Sequence, residues 1–139
     1  MDKKPFVERM LEVENLTDEL EDREAKRLLH WGIGKLDGVL QNASDADDAG
    51  ARVNRLMAVM RKINRIAGGC AAKNADDLAG DLQALETLCG EAFDSPAAFT
   101  EADGAKKAEK IAAEIAGKAP GEAVELLIEL CDLKLSGNS

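Results

Sequence analysis

Apolar side chains return every three or four residues in one segment after another, and this period constrains the chain more than any motif does. Between Thr17 and Gln41 the stripe is Ala25, Leu28, Leu29, Ile33, Leu36, Val39 and Leu40, the pattern of one helix face. Val53, Leu56, Met57, Met60 and Ile63 repeat it between Asp47 and Ala67, and Leu78, Leu82, Leu85, Leu88 and Cys89 repeat it again. The residue types agree with the period. The chain has 23 Ala and 17 Leu against 15 Val, Ile and Thr together, and no Tyr. That balance favours helix and disfavours a β-sandwich or barrel, whose pleated faces need β-branched and aromatic residues.

Punctuation sets the elements. A short leading helix is predicted from Pro5 to about Glu14, carrying Phe6, Val7, Met10 and Leu11. Thr17 is the expected N-cap of the second helix, with Asp18 and Glu19 in the first turn. Asn42 to Asp45 break the pattern, and Gly68-Gly69 are expected to end the third helix, since glycine readily takes the left-handed C-cap conformation. Asn74 opens a fourth helix. Asp94-Ser95-Pro96 read as a stop and restart, and Thr100-x-x-Asp103 resembles a capping box at the start of the main fifth helix, which runs to Ala116. Gly117 and Pro120 precede a last helix to about Leu135, and Gly137 follows it. The connections are short, so the expected fold is all-α: an antiparallel bundle of five main helices plus the leading one. It is read as a single domain over residues 1–139, without linker or repeat.

The 139 residues carry 27 acidic and 18 basic side chains, a net charge of -9. An acidic chain is a poor ligand for nucleic acid or anionic lipid. No segment reaches the roughly 18 consecutive apolar residues of a membrane helix. The first residues turn to charge rather than to an apolar run, so no signal peptide is read, and Asn15-Leu16-Thr17 carries no weight as a sequon without export. The cysteines (Cys70, Cys89 and Cys131) are odd in number and widely spaced, the expectation for reduced thiols in a cytoplasm rather than a disulfide framework or zinc site.

Three motif-like stretches lack the residues their chemistry needs. Asp45 to Gly50 hint at a calcium loop, but its fifth and twelfth positions are Ala49 and Leu56, which offer no side-chain oxygen; a capped helix start is the expectation. Gly32-Ile33-Gly34-Lys35-Leu36-Asp37-Gly38 follows no strand and lacks the spacing of a phosphate-binding loop. His30 is the single histidine; nothing around it supplies a nucleophile, and a di-iron site, which needs two Glu-x-x-His pairs, is excluded. It is read as a surface or boundary residue, with no cofactor expected.

Three surface features stand out instead. From Ala49 to Ala75 there are six basic residues and no acid, whereas residues 1–48 have 7 basic and 13 acidic, and residues 76–139 have 5 and 14. At about 100° per residue, Asn54, Arg55, Arg61, Lys62 and Arg65 fall opposite the Val53–Met60–Ile63 stripe. They form a cationic strip suited either to neighbouring acidic helices or to an acidic partner. The last helix is apolar almost all round except for Glu122, Glu125, Glu129 and Asp132, which places it at a bundle centre or an interface. Trp31 projects more than 90° from its own stripe, with Gly34 and Gly38 following at i+3 and i+7. The helix is therefore expected to pack on two sides, against its own chain or a second copy.

Glu122-x-x-Glu125 and Glu129-x-x-Asp132 resemble signature pieces of the all-α nucleotide pyrophosphohydrolases of the MazG-like group. The resemblance implies a Mg²⁺-dependent hydrolase with those four carboxylates as ligands. In that family the two pieces lie on different helices; here they share one, and Glu21-x-x-Glu24 is the distant substitute. The main expectation is a non-enzymatic helical interaction module that associates with itself as a homodimer or with another protein. The alternatives are the hydrolase and a DNA-binding regulator using the arginine-rich helix.

Overall fold

The computed structural model describes residues 4–11, 22–41, 43–93 and 102–136. Six α-helices occupy them: α1 Lys4–Leu11, α2 Asp22–Leu40, α3 Ala46–Gly69, α4 Ala75–Phe93, α5 Ala102–Ile115 and α6 Pro120–Ser136. A single 3-10 turn, Cys70–Ala72, joins α3 to α4, and no strand occurs among the described residues. The all-α architecture is the one the periodicity predicts. The expected cap at Thr17, Glu21, Asn42, the break at 94–96, Thr100 and Gly137 lie outside the described residues.

The start of α3 shows local chemistry setting an element. Asp45 has extended backbone, and its carboxylate accepts from the Asp48 N–H at 2.8 Å. Asp48 answers by accepting from the Ser44 N–H at 2.9 Å. Two backbone donors at the helix start are thus met, in a variant of the capping box in which the Asp48 carboxylate reaches the residue before the N-cap rather than the N-cap itself. The stretch that hinted at a calcium loop is therefore a helix start. The Ser44 N–H, followed by Arg52, holds the Asp48 carboxyl below its ordinary value. Asn74 does the same work for α4, accepting from the Asp77 N–H at 2.9 Å.

The end of α3 departs from expectation. Gly68 and Gly69 remain in the helix, and Gly69 has φ of -103°, not a left-handed value. Tertiary contact decides this. The Cys70 thiol donates to the Ala67 carbonyl at 3.2 Å and to the Lys118 carbonyl at 3.1 Å, while the Gly117 N–H donates to the Cys70 carbonyl at 3.0 Å. These bonds hold the chain in a 3-10 turn past the glycines. The left-handed residue is Gly117, with φ of 78°, where the α5–α6 connection reverses.

One apolar cluster runs through α2 to α6, with Phe6 and Val7 of α1 packed against it. α3 touches α1, α2, α4 and α6, and α6 touches α2, α3, α4 and α5, so these two form the centre. For α6 this follows from its composition: Ala123, Val124, Leu127, Ile128, Leu130 and Cys131 are all buried, and only a helix surrounded by others can bury so wide a face. α2 also packs on two sides. Leu28 and Leu36 are fully buried, and Trp31, on the second side, keeps only 6% of its surface exposed.

Candidate functional site

The charge of α3 is distributed by its packing. With Leu56, Met60, Ile63 and Ile66 turned inward, the opposite side of the helix must face solvent. Arg55, Arg61 and Arg65 are exposed there. Among the described residues none of the three takes part in an ion pair or hydrogen bond. Lys62, at the edge, stands 3.9 Å from Asp81 of α4, which also receives Lys73 at 2.9 Å. Arg52 pairs with Asp48 inside α3 at 3.2 Å. Within α3, the expected pairing with a neighbouring acidic helix therefore holds for Lys62 alone among the described residues; Arg52 pairs inside its own helix, and the three central arginines pair with neither.

The strip gains a cation that sequence reasoning missed. Arg9 of α1 donates to the Asn54 side-chain oxygen, which brings its guanidinium to the same face. Only the docking of α1 against α3 puts the two together, and no spacing within one helix could show that. Arg9, Arg55, Arg61 and Arg65 then extend along a stretch of roughly 15 Å of α3, at 1.5 Å per residue. Fork-shaped guanidinium groups suit carboxylates bidentately. Arg61 and Arg65 also stand at i and i+4, where like charges cost an isolated helix a few tenths of a kcal/mol.

The carboxylates of α6 lie elsewhere. Glu122, Glu125 and Glu129 are exposed, while the Asp132 side chain lies outside the described residues. Glu125 receives Arg27 of α2 through Nε at 2.8 Å and through Nη2 at 3.4 Å. Lys118 stands 3.9 Å from Glu122. Within the chain, then, this line meets α2 rather than the cationic face of α3. Among the described residues no three His, Cys, Asp or Glu side chains gather to hold a metal ion. Beside the line, α2 and α6 enclose an open groove of about 700 Å³, where Arg23, Lys26, Arg27 and His30 face Glu24, Glu122 and Glu125. Its mixed charge gives it no preference for either sign of ligand.

The Trp31–Gly34–Gly38 face does not stay together. Trp31 is buried in its own chain, whereas Gly34 and Gly38 are exposed, and a Cβ on either would meet open space. The glycine that permits close approach is Gly32, where a Cβ would stand 2.6 Å from Met60 Cε of α3. Comparison of the chain with known protein families, with curated proteins and with solved structures returned no match. No helix among the described residues is long and apolar enough to cross a membrane.

Proposed function

We propose that this protein is a non-enzymatic interaction module that pairs with a second copy of itself, the cationic face of α3 meeting the acidic line of α6. The observation that carries the reading is the set of exposed arginines, Arg55, Arg61 and Arg65, that the fold leaves without a partner among the described residues. Exposed like charges on one face give the chain nothing in stability and set up a field that attracts an acidic surface. A second copy supplies such a surface. Outside Ala49–Ala75 the charge is acidic in both directions along the chain, and α6 presents Glu122 and Glu129 outward at helical spacing. A two-fold arrangement would use each face once on each copy and close without growing into fibres.

A charge-swap experiment tests the pairing. Arg61→Glu with Arg65→Glu should be monomeric, as should Glu122→Lys with Glu129→Lys. An equimolar mixture of the two should recover a dimer, because each mixed contact again joins opposite charges. Variants that keep the wild-type mass alone, or a mixture that stays monomeric, would overturn the reading.

A further inference from the structure

Three cysteines spread over the chain look unrelated in sequence, yet the fold brings two of them into contact. Cys89 of α4 and Cys131 of α6 are both fully buried, and their Sγ atoms stand 3.0 Å apart across 42 residues of chain. A disulfide has an S–S length of about 2.05 Å, so closure asks for an approach of about 1 Å between two side chains that already face each other. We propose that Cys89 and Cys131 are a redox site, closed by a peroxide into an intrachain disulfide that locks α4 to α6.

The chemistry balances with hydrogen peroxide as the oxidant. One thiol, as thiolate, attacks the O–O bond, which breaks to give a sulfenic acid and water. The second thiol attacks that sulfur, the S–O bond breaks, and a second water leaves with the two remaining protons. Two thiols are oxidised and one peroxide is reduced to two waters. Burial of both sulfurs limits attack to small oxidants and shields the product, because a thiol reductant must reach the bond before exchange can begin. The tie joins helices that are not consecutive, since α5 lies between them in the chain. It therefore closes a long loop and restricts the unfolded chain.

Cys70 provides an internal control. Its thiol is equally buried but is committed to the carbonyls of Ala67 and Lys118, with no second sulfur beside it among the described residues to resolve a sulfenic acid.

The test uses the whole chain, reduced and then treated with hydrogen peroxide while folded. Free thiols are afterwards alkylated under denaturing conditions and counted by mass. The expected product is an uncrosslinked monomer chain with one alkylated cysteine, Cys70, a peptide pair joining Cys89 to Cys131, and return to three alkylated cysteines after dithiothreitol. The oxidised chain should melt about 10 °C above the reduced one, on the scale set by long-loop closure. Three alkylated cysteines after peroxide, a link through Cys70, loss of thiols to sulfinic or sulfonic acid, or an unchanged melting temperature would each overturn the proposal.

Discussion

At the scale of single residues, the glycines of α2 separate two roles that look alike in sequence. Gly32, Gly34 and Gly38 all interrupt a helix, but only Gly32 lies against another helix, beneath Met60. Gly34→Ala should therefore stabilise the protein by about 1 kcal/mol, the helix-propensity difference. Gly32→Ala should cost about 1 kcal/mol net, because overpacking against the buried Met60 outweighs that gain. Urea denaturation of both variants checks the opposite signs. Arg61→Ala should move stability by no more than about 0.5 kcal/mol when the same assay is run in about 1 M salt, where the proposed pairing is screened, since that exposed side chain has no partner among the described residues. Legibility at this scale was uneven. The wheel placed Arg55, Arg61 and Arg65 on the exposed face because that needs only the helical period. It could not tell which neighbour would cover Trp31 or Gly32, nor that Arg9 and Cys131 would find partners 45 and 42 residues away.

At the scale of elements, the starts of α3 and α4 were readable and the end of α3 was not. Starts are local: a capping side chain and an N–H three residues on suffice, and Asp45 and Asn74 behave accordingly. Asp45→Ala should lower stability by about 1 kcal/mol, measurable by the same denaturation. The paired carboxylate adds a pH signature. The pKa of Asp48 lies below 3.8 in the folded chain, so its contribution is present above the ordinary carboxylate pKa and is lost as pH falls through the depressed folded value. Asp48→Asn should accordingly flatten the fall in denaturation midpoint on acidification below pH 3.8; an acid limb as steep as in the wild type would contradict the capping role. The end of α3 was misjudged because contacts from Gly117 and Lys118, far along the chain, override the left-handed tendency of Gly68-Gly69.

At the scale of the whole molecule, two helices organise everything else. α6 buries the face built from Ala123, Val124, Leu127, Ile128, Leu130 and Cys131 while Glu122, Glu125 and Glu129 stay exposed, and α3 buries one side while turning its arginines outward. Truncating the shared core should be expensive: Leu127→Ala should cost about 2–5 kcal/mol in equilibrium unfolding, since its site is closed on every side. The charge pattern obeys a different logic, because removing the exposed arginines should leave the fold intact while abolishing association. The bundle itself was legible because hydrophobic period and helix-forming composition point the same way. Which charged faces meet was not, because pairing across helices depends on their spatial order. Glu125, for instance, meets Arg27 of α2 and not the strip on α3. The measurement that tests the central claim most directly is the solution mass of the wild-type chain by light scattering, at low ionic strength and again in about 1 M salt, where charges are screened beyond roughly 3 Å. The account predicts twice the 14.8 kDa chain mass at low salt, falling toward the monomer as salt rises. A monomer at every ionic strength would contradict it.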